Sequence, residues 1–227
     1  MTEQSHPDWD ASYTGGTAAP WDIGRPQPGF VRLADGGRLT GRLLDAGCGT
    51  GENALLAASR GADVTGIDVA QSAIERARAK ASQRGLTARF EVADALDRGR
   101  LGRLGLSADT VIDSGVFHVF GDDDRARYVA SLAAVLRPAG TYYLMCFSDR
   151  QPGTWGPRRV REDELRAAFS RRLVSLHLPR RPPRRRRRTG RAHCRRLIAA
   201  SQAWTCVMPS IGLMSKVSAV IDSTLQP

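Results

Sequence analysis

The sequence has few cysteines, no apolar leader and no long, strongly apolar run. Its four cysteines form no CxxC pair, which indicates neither a disulfide framework nor a zinc site and favours a reducing, cytoplasmic compartment. The N-terminal residues MTEQSHPDWDASY are polar and acidic, unlike a secretory signal. The uncharged run at 197–214 is interrupted by serine, threonine, glutamine, proline and glycine, so it makes a poor membrane span. With 41% hydrophobic residues among 227, the chain is expected to bury one core.

An excess of positive charge is absent from most of the chain, although the net charge is +11. Of the 34 basic and 23 acidic residues, 13 basic residues and one acidic residue lie in 171–227, which gives that segment +12 and leaves −1 for residues 1–170. The segment includes RRPPRRRRRTGRAHCRR, which is too charged and too broken by proline to pack. We therefore expect residues 171–227 to form an Arg-rich, disordered or aberrant tail.

Between residues 42 and 148, short apolar runs alternate with helix-like stretches, and no internal repeat is present. This alternation is typical of βα units around a mostly parallel sheet. Strands are predicted at 42–46, 63–68, 88–93, 109–114 and 141–147, with one more around 173–178. Helices are predicted at 29–34, 51–60, 71–84, 122–136 and 161–170, where glycine or proline provides several of the stops.

The strongest local motif joins the first predicted strand to the helix that follows. Residues 42–58 read RLLDAGCGTGENALLAA, with Asp45 followed by Gly47, Gly49 and Gly51. Glycines at such a turn let the backbone approach a ligand closely, and the next helix presents free N–H groups. A dinucleotide GxGxxG pattern would need glycine at position 52, where Glu52 stands, so a dehydrogenase is disfavoured.

These residues carry a family resemblance. DAGCGTG at 45–51, with Asp68 closing VTGIDVA, resembles the cofactor motifs of class I S-adenosylmethionine-dependent methyltransferases. The resemblance implies a Rossmann-like, doubly wound α/β fold with S-adenosylmethionine as cofactor. No metal is expected, because the acidic run at 122–124 lies at a helix start, where consecutive side chains do not converge on one point. It brings the backbone around Gly47 and Gly49 close to the methionine portion, Asp68 to the ribose hydroxyls and Asp94, in EVADALD, to the adenine amino group. Gly51 is included among the cofactor-binding residues, as is Asp45, which is interpreted as a buried carboxylate that organises the loop with or without cofactor contact.

A narrower resemblance, to the bacterial branch of the thiopurine, thiol and halide methyltransferases, comes from PWDIGRPQP at 20–28 and DSGVFH at 113–118. It implies that Trp21 lies over the cofactor sulfonium as part of a lid, where an indole face attracts a cation. We assign Trp9 and Tyr13 to the same lid and include Asp113 among the cofactor-binding residues. A thiol acceptor needs no general base, whereas an oxygen acceptor would, and His118 is then the candidate catalytic base.

Each assignment has a structural alternative. Asp68 could serve only as the N-cap of the next helix, and Asp94 could be only a turn residue. Trp21 could pack on the domain's own core, and His118, which lies among apolar neighbours, could be a buried structural histidine. Cys48 is interpreted as a packing residue.

The sequence therefore predicts three regions: an N-terminal lid and helix at 1–40, a cofactor-binding core at 41–170 and the tail at 171–227. The expected partner is a small-molecule methyl acceptor, with a thiol preferred. An O-methyltransferase, an inactive cofactor-binding protein and a nucleic-acid methyltransferase stay open as alternatives.

The tail bears on those alternatives. Consecutive arginines could contact nucleic acid or an anionic membrane, although DSGV replaces the [DNS]PP[YWF] tetrad of many base-modifying enzymes. By the family resemblance the sheet should end in a hairpin, which the sequence after Ser170 does not reveal, so we expect an irregular or incomplete C-terminal part. A shifted reading frame is one hypothesis for this break.

Overall fold

A computed structural model describes residues 8–15, 19–149, 156–169, 173–177 and 214–221. Its centre is one sheet of seven strands in the order β3-β2-β1-β4-β5-β7-β6. The strands are β1 Arg42–Ala46, β2 Asp63–Asp68, β3 Arg89–Val92, β4 Ala108–Ser114, β5 Leu136–Phe147, β6 Leu173–His177 and β7 Met214–Ile221. Strands β1 to β5 pair in parallel, and β7 pairs antiparallel with both β5 and β6. The predicted Rossmann-like, doubly wound fold is confirmed.

Seven helices accompany the sheet in the described ranges. They are α1 Ala11–Thr14, α2 Pro28–Asp35, α3 Glu52–Ser59, α4 Gln71–Gln83, α5 Arg98–Arg103, α6 Asp122–Val135 and α7 Glu162–Phe169, with a short 3-10 turn at Phe117–Val119. Five of these were predicted to within two residues at each end. Helices α1 and α5 were not predicted, because α1 has only four residues and α5 carries two glycines, which weaken any helical pattern.

The C-terminal part of the sheet was predicted to be irregular or incomplete. Leu173–His177 and Met214–Ile221 pair as antiparallel strands, with His177 opposite Ser218 and a register irregularity between Leu173 and Ser175. Strand β7 fills the place between β5 and β6. The whole Arg-rich run of the predicted tail lies outside the described residues.

The core lies on both faces of the sheet, as expected for a doubly wound fold. Successive residues of β5 alternate between the two faces: Tyr142, Leu144 and Cys146 pack in the cluster with α5, α6 and α7, and Tyr143 and Met145 pack in the cluster with α2, α3 and α4. The chain order reverses between β1 and β4, and in open α/β sheets ligands bind outside the carboxyl ends of the strands at such a point.

Candidate functional site

The loop after β1 forms the floor of the candidate site. Gly47 and Gly49 have φ values of +69° and +52°, and Gly51 caps the start of α3. A Cβ on Gly47 would lie 2.0 Å from Cγ2 of Val116, and one on Gly49 would lie 3.0 Å from the Tyr13 hydroxyl oxygen. The loops after β1 and β4 therefore meet at Gly47, and the N-terminal segment covers Gly49.

Gly47→Ala is expected to destabilise the protein by about 2 kcal/mol more than Gly85→Ala. Both positions have similar positive φ values, +69° and +62°, but a Cβ on Gly85 meets nothing within 4 Å. Gly85→Ala therefore introduces the same backbone strain without the overlap with Val116. The difference between the two variants is the cost of that overlap, and overpacking typically costs about 1–3 kcal/mol. Denaturant unfolding of the two variants measures the difference, and equal losses would show that Val116 moves aside freely.

Asp45 is a carboxylate with no exposed surface at the end of β1. Neither of its oxygens has a hydrogen-bond partner with good geometry among the described residues. Burial, and then the charges of Asp113 and Asp68, raise the pKa of Asp45 to about 8, and the backbone of Ala54 opposes this only in part. An enclosed, unpartnered carboxyl group is thus placed directly beneath the glycine loop.

Asp68 holds the glycine loop against the start of α4. One oxygen accepts from the Gly49 N–H at 2.8 Å and the other from the Ala70 N–H at 2.9 Å. Burial raises the pKa of Asp68, and hydrogen bonds from the backbone N–H groups of Ala70, Gly49 and Val69 oppose that change. A carboxylate can accept about four hydrogen bonds, so Asp68 keeps acceptor capacity for a ligand. Asp94 is exposed after β3, where one oxygen accepts from the Leu96 N–H at 2.8 Å.

Three aromatic side chains of the N-terminal segment lie together over this loop. The Trp21 indole donates to the Tyr13 hydroxyl at 2.8 Å, and the Trp9 and Trp21 rings are 5.6 Å apart, edge to face. Tyr13 is buried, whereas Trp21 is 46% exposed. Burial, and then the charge of Asp68, raise the pKa of Tyr13. The side chains assigned to a lid are therefore brought together beside Gly49 and Asp68.

A polar network ties the same segment to α3 and α4, and the sequence did not reveal it. The Thr50 hydroxyl donates to Asp22 at 2.8 Å and accepts from Lys80 at 2.7 Å. Lys80 and Arg84 both contact Glu52 at 2.9 Å. Although burial opposes it, bonds from Arg84 and Lys80 lower the pKa of Glu52. The i, i+4 spacing of Lys80, in the last turn of α4, and Arg84, at its C-cap, was the available signal.

Asp113 is enclosed at the end of β4 and is fully occupied by protein donors. Its oxygens accept from the N–H groups of Val116 and Phe117 at 2.7 and 3.1 Å, and from the hydroxyls of Tyr128 and Tyr142 at 2.9 and 2.7 Å. Burial raises the pKa of Asp113, and these four donors oppose that change. The carboxylate therefore positions the loop after β4, and direct cofactor contact by Asp113 stays a prediction.

His118 lies in the 3-10 turn of that loop and is only 6% exposed. Its Nδ1 accepts from the Phe147 N–H at 2.9 Å, and the two rings are 5.0 Å apart. Burial, and then the charges of Arg125 and Arg159, lower the pKa of His118 to about 4. At neutral pH the imidazole is therefore uncharged, and the lone pair that would accept a proton is already engaged.

The described ranges contain no group of three or more His, Cys, Asp or Glu side chains that could hold a metal ion. Within the same ranges, no helix is both long enough and apolar enough to cross a bilayer.

Comparison with known proteins places the chain among methyltransferases. Residues 43–140 match the family described as "Methyltransferase domain". The chain is 37% identical over 180 residues to the 2-heptyl-1-hydroxyquinolin-4(1H)-one methyltransferase of Mycobacteroides abscessus, covering 75% of this chain and 78% of that protein. It is 41% identical over 83 residues to the probable thiol methyltransferase 2 of Arabidopsis thaliana, which is 36% of each chain.

Solved structures agree with this placement. A structure from work on the conversion of a disulfide bond into a thioacetal group during echinomycin biosynthesis has a TM-score of 0.68 and 33% identity, covering 94% of this chain and 91% of the other. The magnesium protoporphyrin IX methyltransferase of Synechocystis PCC 6803, solved with S-adenosylmethionine, has a TM-score of 0.56, 20% identity and coverage of 85% and 76%. The second comparison supports the fold alone.

Proposed function

This chain belongs to the class I S-adenosylmethionine-dependent methyltransferases, and we propose that it methylates a small molecule. The nucleophilic atom of that molecule is already anionic near neutral pH, and a thiolate is the preferred acceptor. The bound cofactor supplies an electrophilic methyl group on a sulfonium sulfur. The protein then has to hold the acceptor in line with that carbon and keep water away. No proton transfer by the protein is required for such an acceptor.

The residues at the carboxyl ends of β1 and β2 fit S-adenosylmethionine. We propose that Asp45, which is enclosed at the end of β1, organises the glycine loop. Asp68 keeps acceptor capacity for a ribose hydroxyl beside its backbone donors, and the positive φ values of Gly47 and Gly49 set the shape of the loop. We propose that Trp21 and Asp94 contribute the lid and adenine contacts implied by the family resemblance.

The choice of acceptor rests on the protonation and hydrogen bonding of the titratable groups near the loop after β4. His118 uses its basic nitrogen to accept from Phe147, and its pKa is about 4. Asp113 accepts four hydrogen bonds, and Asp45 is enclosed. None of these three groups is free to act as a general base at neutral pH. An acceptor that ionises by itself fits this arrangement best.

The named relatives support two kinds of acceptor that share this property. The probable thiol methyltransferase of Arabidopsis thaliana and the thiocyanate methyltransferase 1 of Brassica oleracea favour a sulfur atom as the acceptor. The quinolone methyltransferase, which matches over more of its length, points to an acidic N-hydroxyl group. An N-hydroxy heterocycle is therefore the second candidate.

The test is methyl transfer from isotope-labelled S-adenosylmethionine to a panel of aromatic thiols, alkyl thiols, N-hydroxy heterocycles and plain alcohols. We expect methylation of the first three classes, with kcat/KM rising through the ionisation of each acceptor itself. Mass spectrometry measures the products across a pH series. Equally fast methylation of alcohols, which do not ionise in this range, would require a protein base and contradict the proposal.

Two further outcomes identify the remaining alternatives. Cofactor binding without turnover of any acceptor would favour an inactive cofactor-binding protein. Faster transfer to an oligonucleotide than to every small molecule would favour a nucleic-acid methyltransferase.

A further inference from the structure

We propose that His118 donates a hydrogen bond from Nε2–H to the anionic acceptor and does not act as a base. This inference rests on the proposed function, because it assigns to one side chain the task of holding the acceptor anion. It also revises the role that the sequence suggested for this histidine.

The hydrogen bond from Phe147 determines where the imidazole proton lies. Nδ1 of His118 accepts from the Phe147 backbone N–H at 2.9 Å, so Nδ1 carries the lone pair. In the neutral ring the proton must then be on Nε2. Packing of the imidazole against the Phe147 ring, with centroids 5.0 Å apart, fixes the orientation of this donor.

The position of Nε2 directs the donor to the site. Nε2 is 3.2 Å from the point that a Cβ on Gly115 would occupy, and Gly115 is the first residue after β4. The next residue, Val116, contacts the position of Gly47 in the cofactor loop. Nε2 has no hydrogen-bond partner in the described part of the chain. Both oxygens of Asp45 also lack partners and are sealed from solvent, whereas Nε2 is not sealed. An N–H donor thus lies beside Gly115, at the carboxyl end of β4, and is not sealed from solvent.

The surrounding charges suit an anion at this point. Arg125 is buried, its Nε donates to the Phe117 carbonyl at 3.2 Å, and its Nη2 has no hydrogen-bond partner. Its one described ion pair, from Nη1 to Glu164, is 3.6 Å long. Arg159 lies over the Phe147 ring at 5.5 Å. This positive field disfavours a proton on Nδ1 of His118 and favours a thiolate or N-oxide anion in front of Nε2.

Three forms of the full chain test the donor role: the parent, His118→Gln and His118→Ala, each assayed with one aromatic thiol and labelled S-adenosylmethionine. A glutamine amide can accept from Phe147 through its oxygen and donate through its nitrogen, but it cannot act as a base. We expect kcat/KM to fall about 10- to 100-fold in His118→Ala, the range for loss of one bond to a charged group. His118→Gln should stay within about five-fold of the parent by the same reasoning.

Binding of S-adenosylhomocysteine by all three forms is the folding control, and it should be unchanged. An active parent with His118→Gln as impaired as His118→Ala would overturn the donor role and leave the proposed function standing. A parent inactive on the whole acceptor panel would overturn the proposed function as well. Nitrogen-15 spectra of the imidazoles, with His118 assigned by its loss in His118→Gln, give a test without turnover: an Nδ1–H tautomer at neutral pH would contradict the inference.

Discussion

Asp68→Ala is expected to weaken binding of S-adenosylhomocysteine at least about 100-fold. Two hydrogen bonds to a charged acceptor contribute about 3 kcal/mol together, which corresponds to this factor. The substitution also removes the acceptor for the N–H groups of Gly49 and Ala70, so the loop loses its fixed position. Titration calorimetry with the full chain measures the affinity.

Asp63→Ala is the matched control, because Asp63 is exposed at the opposite end of the same strand. Its affinity should equal that of the parent. Asp68→Asn should lie between the two, since the amide has one oxygen in place of two and brings an NH2 group towards backbone donors. Affinity of Asp68→Ala within three-fold of the control would remove Asp68 from the cofactor site and leave it as a loop anchor.

The parallel part of the sheet could be predicted because its signals are local. Strands β1 and β2 were predicted with their observed bounds, since each is a short apolar run that ends at an aspartate or alanine before a turn. Strand β7 was not predicted. Its place depends on pairing with β5, which lies far earlier in the chain: Thr141 pairs with Val220, 79 residues later. Such long-range pairing leaves no local pattern.

The candidate site shows the same division between local and distant contacts. The motif placed Asp45, Gly47, Gly49 and Asp68 near one another because parallel strands end at one edge of the sheet. The surroundings of two other residues could not be predicted. Asp113 receives hydroxyls from 15 and 29 residues away, and His118 receives an N–H from 29 residues away. Those tertiary partners decide whether a side chain is free to react.

Asp45→Asn is expected to stabilise the ligand-free protein, and increasingly so as the pH rises. Folding raises the pKa of Asp45 from its ordinary value of 3.8 to about 8, so the folded state binds a proton more tightly than the unfolded chain. Relative to asparagine, Asp45 therefore does not lower the free energy of unfolding below about pH 4. Between about pH 4 and pH 8 it lowers that free energy by about 1.4 kcal/mol for each pH unit, and above pH 8 the difference is constant. At pH 7 the gain is on the order of 4 kcal/mol.

Denaturant unfolding at a series of pH values measures this difference, and Asp109→Asn provides a control of opposite sign. The pKa of Asp109 is lowered by the backbone N–H of Arg42 and by Arg137, so its stabilising contribution is present above about pH 4 and is lost as the pH falls. Asp109→Asn should therefore destabilise the protein at neutral pH. A difference between Asp45→Asn and the parent that stays constant from pH 5 to pH 8 would mean that Asp45 is ionised throughout, with its charge balanced by a group outside the described residues.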